Sequence, residues 1–600
     1  MREFATPTTR GLPMTGNLTD DVVANGREAP EAVVFTRRVA GRWEDVTADE
    51  FLTEVGAVAK GLIAAGVGAG DRVALISRTR YEWTLVDCAI WFAGAVTVPI
   101  YETSSAEQVR WILRDSGAVA VVAEDLDHMA RIASVRGDLT ELLHVWSLED
   151  NAIEVLTRLG ADVADDELED RRQSATPLDL ATLIYTSGTT GKPKGCMLTH
   201  GNFMFELDVV VDELRDLFDP GSGSGDAATL LFLPLAHVFA RAIQIGCVKA
   251  RVRMGHSSDI KNLTADLAEF RPTFVLGVPR VFEKVFNAAS QRAAADGRGA
   301  LFDRAAEIAI AYSRGLDRGR PSLPVRAQHA LFSRLVYGRL RDALGGRCEY
   351  AISCGAPLGE RLWHFYRGIG LTVLEGYGLT ETTAALTLNL PGVIKVGTVG
   401  RPIPGTTARV ADDGELLFRG GQVFAGYWND EGATAEALER DGWLHTGDVG
   451  EVDDEGFVRI TGRKKEILVT AGGKNVAPAA LEDRVRAHAL VSQCLVVGDG
   501  QPFIAALVTL DDESVPMWAA ARGKTTRPAA LVDDVDLVAE IQAAIDDANL
   551  SVSKAEAIRK FTILPRDWTE EDGHLTPSLK LKRTVVMHEA REDIAALYFS

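Results

Sequence analysis

The sequence predicts an α/β protein with a large N-terminal domain of layered α/β subdomains carrying a β-rich part, residues 1–461, followed by a smaller C-terminal domain, residues 462–600. Three observations predict this. Short β-rich runs recur between helical stretches at Val73–Ser77, Ala118–Ala123, Leu183–Thr186, Thr229–Leu233 and Thr273–Gly277, an alternation that packs helices against parallel sheets. A chain of 600 residues exceeds what one hydrophobic core can cover. Near residue 460 the texture changes, from the turn-rich β sequence of Gly442–Gly450 and Asp453–Phe457 to Gly462-Arg-Lys-Lys-Glu466 and a smaller segment beyond it. No Pro- or Ser-rich linker separates the two parts, so a tight hinge is expected.

Taken in chain order, the opening segment MREFATPTTRGLPMTGNLTDD has no apolar leader run and is expected to be a loosely held lead-in. The most apolar long window, Trp83 to Ile100, is interrupted by Asp87 and Pro99 and falls short of the run of about 18 residues that spans a bilayer. It predicts a buried helix running into a strand. Asp219-Pro-Gly-Ser-Gly-Ser-Gly-Asp226 has the composition of a loop. From Phe282 to Gly345 an Ala-, Arg- and Leu-rich stretch predicts helices, with Leu331, Leu335, Val336, Leu340 and Leu344 at helical spacing. That stripe is read as the core face of a surface helix, with the wall of an apolar tunnel as the sharper alternative.

The net charge of −21 disfavours a general nucleic-acid surface, because such binding draws on clustered Lys and Arg. The six cysteines form no CxxC pair, so neither a disulfide framework nor a zinc site is indicated. Their usage suits a reducing, cytoplasmic setting. Oligomeric state and peripheral contact with a membrane are left open by the sequence.

The strongest chemical signal is Tyr185-Thr-Ser-Gly-Thr-Thr-Gly-Lys-Pro-Lys-Gly195, directly after an apolar strand. The hydroxyls of Thr186, Ser187, Thr189 and Thr190, the backbone of Gly188 and Gly191, and the ammonium of Lys192 can all face polyphosphate oxygens. It is not the P-loop of kinases and GTPases, which needs GxxxxGK[ST] running into a helix. Further motifs follow in order: Leu233-Pro-Leu-Ala-His-Val-Phe-Ala-Arg241, Ser353-Cys-Gly-Ala-Pro-Leu358, Glu375-Gly-Tyr-Gly-Leu-Thr-Glu381, Thr446-Gly-Asp448, Gly462-Arg-Lys-Lys-Glu466 and Leu575-Thr-Pro-Ser-Leu-Lys-Leu-Lys-Arg583. In the third, a ring flanked by glycines offers a flat face for a purine, while Thr380 and Glu381 supply a hydroxyl and a hard carboxylate suited to Mg²⁺ and phosphate. An Asp placed as Asp448 can accept both ribose hydroxyl protons, or cap a turn.

Across nearly its whole length the chain resembles the adenylate-forming superfamily of acyl-CoA synthetases, luciferases and peptide-synthetase adenylation domains, and its wording is similar to the long-chain fatty-acid–CoA ligase branch. The resemblance implies ATP, Mg²⁺ and coenzyme A, with a fatty acid as substrate and a small, mobile α+β C-terminal domain. It implies that Tyr377 stacks on adenine between Gly376 and Gly378, with Gly355, Ala356 and Pro357 on the opposite rim. Thr380 would contact the α-phosphate, Glu381 hold the magnesium, and Asp448 and Arg463 grip the ribose. Lys580 would be the catalytic cation of the small domain, Lys465 its hinge, and Lys474 a second cation near the phosphates. Gly472 and Gly473 would lie beside the pantetheine arm after the domain rotates. His237 would sit at the acyl pocket to orient the carboxylate or the thiol; a lone His among Leu235, Val238 and Phe239 is otherwise a satisfied core histidine. Leu579 stands where many relatives carry Gly, with Lys582 two residues past Lys580. A fatty acyl-AMP ligase that serves a carrier protein is the alternative. Its extra insertion has no room between Gly456 and Lys474.

Overall fold

The expected strands resolve into two parallel-rich sheets in the computed structural model, which describes residues 2–186, 192–219, 227–259, 262–570, 572–576 and 580–599. The first has six strands in the order His144–Ser147, Ala120–Ala123, Arg72–Ile76, Val96–Ile100, Leu180–Thr186 and Lys194–Thr199. All its pairings are parallel except the last, an antiparallel hairpin. The second has nine strands, with a parallel centre that sets Phe274–Gly277, Tyr350–Ser353 and Thr372–Tyr377 side by side. Both contribute to one large core, which takes Val73, Leu75 and Ala120 from the first and Phe35, Met254, Phe274 and Ile352 from the second. Strands buried on both faces read as continuous apolar runs, which is why they were legible.

The window Trp83–Ile100 is a helix, Tyr81–Phe92, running into the strand Val96–Ile100. Its interrupting Asp87 is fully buried and paired with Arg241, whose Nε donates to Oδ2 at 2.9 Å. Thr97 Oγ1 donates to the other carboxylate oxygen at 2.7 Å. A buried charge persists only when paired and hydrogen-bonded in this way. The pair ties this helix to Val238–Ala250, the helix that begins at His237.

A five-stranded antiparallel sheet follows, in the order Arg2–Ala5, Thr407–Val410, Glu415–Arg419, Leu444–Val452 and Val458–Arg463. The opening segment is therefore not wholly loose. Residues 2–5 form an edge strand, because Thr407–Val410 offers an unpaired ladder edge and Phe4 packs over Gly456. Beyond Arg463 come a short turn at Lys464–Glu466 and a small ribbon, Leu468–Val469 with Asn475–Val476. A three-stranded sheet follows: Val491–Val497, Ile504–Leu510 and Ile558–Ile563. The buried clusters of this part contain no residue before Leu468. Its links to the rest include Arg280 to Asp511 at 3.1 Å, Lys284 to Glu513 at 3.9 Å and Thr103 to Glu570.

The helical region is present as Pro279–Ala295, Gly299–Asp317, Leu323–Phe332 and Gly338–Ala343. Its leucine stripe, however, is not one core face. Leu344 is buried and Val336 and Leu340 pack on the core, but Leu331 and Leu335 are 55% and 51% exposed. At 3.6 residues per turn Leu331 and Leu335 already lie about half a turn from Leu340 and Leu344, and a π-helical turn over Ser333–Tyr337 interrupts the helix there. Of the loop expected at Asp219–Asp226, residues 220–226 lie outside the described residues.

Candidate functional site

The candidate phosphate loop is the tip of the hairpin Leu180–Thr186 and Lys194–Thr199, where Thr186 faces Lys194 across the ladder. Ser187, Gly188, Thr189, Thr190 and Gly191 lie outside the described residues. The base of the tip is held by aromatic groups. Lys192 Nζ lies 4.2 Å from the Trp111 ring centroid, and Trp111 Nε1 donates to the Pro193 carbonyl at 2.8 Å. Residues 425–428 run along the second strand, with Met197 N donating to Gly426 O at 2.9 Å and Trp428 N to Gly195 O at 2.8 Å. This places Tyr427 between two predicted site groups. Its ring is 5.1 Å from Lys194 Nζ and its hydroxyl donates to Glu381 Oε1 at 2.7 Å. Tyr427 was missed in the sequence. The signal that could have found it is the aromatic pair in Gly426-Tyr427-Trp428-Asn429.

The neighbouring strands Tyr350–Ser353 and Thr372–Tyr377 run parallel, so Gly355, Ala356 and Pro357 lie beside Gly376, Tyr377 and Gly378 at the carboxyl ends. Such ends are where open α/β sheets form ligand crevices. Gly355, Ala356 and Pro357 are exposed there, and the strand ends are pinned from below by Leu358 N, which donates to the buried Glu375 at 3.0 Å. At Gly378 a Cβ would stand 1.5 Å from the Ala384 carbonyl oxygen, so the chain can double back into the Thr380–Thr382 turn only without a side chain. Thr380 and Glu381 ride on that turn, half-buried, and Phe424 N holds the Glu381 carbonyl at 2.9 Å.

Asp448 is placed by a strand, not by the turn its context suggests. It lies in Leu444–Val452 directly opposite Arg463 of Val458–Arg463. The ladder continues because the turn-prone Gly447 is held in it by its N–H, which donates to Glu415 at 2.9 Å. Asp448 is buried, with Arg463 Nε donating to Oδ1 at 2.9 Å and the Tyr377 hydroxyl to Oδ2 at 2.6 Å. The ring, the carboxylate and the guanidinium are thus one hydrogen-bonded unit.

Lys580 arrives from the small part of the chain. Its backbone closes on Thr576, which receives Lys580 N on its hydroxyl at 3.0 Å and donates its own N–H to the Lys580 carbonyl at 2.8 Å. The ammonium keeps contact with solvent but is crowded by protein. Burial and then the charge of Arg463 hold it below the usual lysine range, against the pull of Asp448, Glu466 and Glu381. Lys580 therefore lies within electrostatic reach of Arg463, Asp448 and Glu381. His237 caps the helix Val238–Ala250, its Nδ1 accepting Phe239 N at 3.2 Å. Burial and then the charge of Lys580 push it down to about 4. It is neutral near pH 7, and with Nδ1 accepting, its proton sits on Nε2.

The remaining sites lie further along. Gly472, Gly473 and Lys474 are exposed in the turn of the small ribbon, where Lys474 Nζ faces Glu556 at 3.5 Å. Lys465 is exposed in the Lys464–Glu466 turn, whose first residue is anchored to Asp413 and Glu415 of the five-stranded sheet at 2.5 and 3.0 Å. Among the described residues, one group has the ligand atoms for a metal: Glu124, Asp125 and His128. Glu124 is already bound by Arg78 and Asp125 by His128, so it reads as an ion-pair cluster.

Residues 22–428 match the family model described as AMP-binding enzyme, and residues 465–600 match the model described as AMP-binding enzyme C-terminal domain. The chain is similar to the long-chain-fatty-acid–CoA ligase FadD15 of Mycobacterium tuberculosis, 52% identical over 603 aligned residues that cover 100% of both chains. It is also similar to the long-chain-fatty-acid–CoA ligase ACSBG2 of Xenopus laevis, 30% identical over 94% of this chain and 81% of the relative. Among solved structures, the anthranilate CoA ligase AuaEII with anthranoyl-AMP superposes with a TM-score of 0.71 at 20% identity, covering 97% of this chain and 99% of the other. The AMP-bound didomain of the carboxylic acid reductase from Segniliparus rugosus gives 0.72 at 21% identity, covering 99% and 84%. At these identities the two structures speak for the fold.

Proposed function

Because the chain belongs to the AMP-binding enzyme family, we propose that it is a long-chain fatty-acid–CoA ligase that activates a fatty acid with ATP as acyl-AMP, releases pyrophosphate, and passes the acyl group to coenzyme A. The observation that carries this is the placement of Lys580 within electrostatic reach of Arg463, Asp448 and Glu381, in a chain alike over its full length to a ligase of that name. No part of the described chain has a helix long and apolar enough to cross a membrane.

The work of the site is electrostatic. A carboxylate must attack the α-phosphorus of ATP, and both are anionic, so positive charge has to be in place as the pentavalent state forms. Tyr377 offers its face to adenine against Gly355–Pro357, while its hydroxyl fixes Asp448, which with Arg463 takes the ribose. The hairpin tip with Lys192 and Lys194 receives the outer phosphates. Thr380 meets the α-phosphate, and Lys580 neutralises charge at the reacting oxygens. The residues fit Mg²⁺: Tyr427 occupies one oxygen of Glu381 and orients the other, a hard anionic donor beside the Thr380 hydroxyl. Bound there, the metal would offset phosphate charge. His237, neutral and carrying its proton on Nε2, donates a hydrogen bond to the fatty carboxylate and does not act as a base. For the second step the part beyond residues 461–466 rotates, taking Lys580 out and bringing Gly472–Gly473 beside the pantetheine. The polar links between the two parts suit an interface that opens.

Two results are expected. Pyrophosphate release from acid and ATP should show no acid limb near pH 6.5, because His237 stays neutral down to about 4. It should decline on the alkaline side, since Lys580 loses its proton at a lower pH than an ordinary lysine. A pH–rate profile checks both, and an acid limb at pH 6.5 that His237→Gln removes contradicts the first. For the substrate, each methylene buried in the acyl channel contributes about 0.8 kcal/mol, a roughly fourfold gain in kcat/KM per carbon until the channel is filled. Efficiency should climb from octanoate toward palmitate. An optimum at acetate, benzoate or an amino acid overturns the fatty-acid reading.

A further inference from the structure

Where the small part of the chain meets the helical region, one ion cluster joins them that the adenylation chemistry does not employ. Arg280 lies in the first turn of the helix Pro279–Ala295, and its Nη2 donates to Asp511 Oδ2 of the small part at 3.1 Å. Its Nη1 donates to Glu283 Oε2 of its own helix at 3.4 Å. The side chains of Arg280, Asp511 and Glu283 are only 20%, 15% and 13% exposed. A hydrogen bond between charges so shielded is worth more than a solvated surface pair. The neighbouring link, Lys284 to Glu513 at 3.9 Å, is such a surface pair, with side chains 51% and 82% exposed. Glu283 also lies within electrostatic reach of the ion pair Asp483–Arg486 of the small part. Removing Arg280 would leave two shielded carboxylates close together across the boundary.

Each end of this bond is rigidly tied to the chemistry. On the large side, Arg280 comes just after the strand Phe274–Gly277, and Val278 Cγ1 lies 3.9 Å from where a Cβ of residue 355 would stand. The helix therefore starts beside the rim proposed for adenine. Its first turn is fixed from behind, with Phe282 buried and its carbonyl accepting the Tyr366 hydroxyl at 2.6 Å. On the small side, Asp511 directly follows the strand Ile504–Leu510, and its Oδ1 accepts Ser514 N at 2.9 Å. Leu507 of that strand is buried in one cluster with Leu575, and Leu581 packs against it; these two leucines flank Lys580. Asp511 and Lys580 therefore move together.

We infer that Arg280 is a positioning residue: its bond to Asp511 holds the small part in the orientation that presents Lys580 to the phosphates, and this bond must open before coenzyme A reacts. The inference rests on the ligase reading, in which the small part rotates between the two steps. A bond made in one orientation and not in the other shifts the equilibrium between them, and each half-reaction scales with the population of its own orientation. The ratio of the two rates therefore changes by the full worth of the bond, whichever orientation dominates. For a shielded, charge-assisted hydrogen bond that is about tenfold.

The test measures both half-reactions in Arg280→Met, Asp511→Asn and the double variant. Asp511→Asn keeps an oxygen for Ser514 N, so the small part should retain its wild-type thermal midpoint. Each single variant should slow adenylation relative to thioester formation from supplied acyl-adenylate, shifting the ratio of the two rates about tenfold. The double variant should shift it no further, because the same bond is already gone. Arg280→Lys, which keeps the charge, should restore most of the ratio. A readout without catalysis uses the exposed neighbours. Dyes placed by Lys284→Cys and Glu513→Cys, in a chain whose native cysteines are buried or half-buried, report near and far orientations by single-molecule energy transfer. Adding Arg280→Met should lower the near-to-far ratio about tenfold. An unchanged rate ratio, unchanged populations, a double variant in which the two effects add, or equal loss in both half-reactions with a lowered thermal midpoint would each overturn the proposal. Populations that shift in a protein with no ligase activity would leave Arg280 as the holding residue and remove the proposed function; full ligase activity with populations unmoved by Arg280→Met would do the reverse.

Discussion

Lys580→Ala slows formation of acyl-adenylate from fatty acid and ATP by about 10²–10³-fold, the scale of losing one preorganised charge contact to a transition state. Thioester formation from supplied acyl-adenylate should stay nearly unchanged, because the proposed rotation carries Lys580 away before that step. In the conformation described, Lys580 lies in the field of Arg463, Asp448, Glu466 and Glu381, so its charge acts where the phosphates would sit. Its turn is closed by backbone contacts to Thr576 that the substitution leaves in place. Gly472→Leu should behave oppositely. A Cβ built at this exposed glycine meets nothing nearer than Thr470 Oγ1 at 3.8 Å, so the described conformation has room to begin a side chain there, and the obstruction is expected only when pantetheine must pass. Single-turnover assays of each half-reaction separate the two. Equal damage to both steps in both variants would mean one fixed site does all the chemistry.

Glu381→Gln should cut the same first step by about 10²-fold and raise the magnesium concentration needed for half-maximal rate, because the amide keeps size but not charge. The fold should be intact. Tyr427 can still donate to the remaining carbonyl oxygen, and the turn is held by Phe424 N on the residue 381 carbonyl and by Thr383 Oγ1, which donates to Gln422 O at 2.7 Å. Titration of pyrophosphate release against magnesium checks it, and an unchanged requirement at full rate removes Glu381 from the metal. Tyr427→Phe should be milder, since it frees the carboxylate without neutralising it.

Much of this was legible because it is local. Apolar runs such as Val73–Ser77 and Thr273–Gly277 are buried on both faces, so composition alone marks them as strands. The loop after Ile184 and the Gly376–Glu381 segment carry their chemistry in consecutive residues. What escaped was set by distant pairing. Tyr427 reaches Glu381 across 46 positions, through a strand-like run along the hairpin that no local pattern announces. The context of Asp448 suggests a turn, and only the ladder shows it opposite Arg463. The leucine stripe divides into an outward pair, Leu331 and Leu335, and an inward set because only one face of the helix packs on the core, which spacing alone does not name. The opening residues looked unstructured because an edge strand of four residues draws its order from its partner.

The central claim is tested most directly by incubating the protein with palmitate, ATP and coenzyme A and following AMP, pyrophosphate and thioester together. The account predicts that the three appear in equal amounts, and that omitting coenzyme A stops the reaction after about one turnover, with acyl-adenylate held on the enzyme. Acyl-adenylate that forms but never reaches coenzyme A, and is discharged only to a carrier protein, would contradict it.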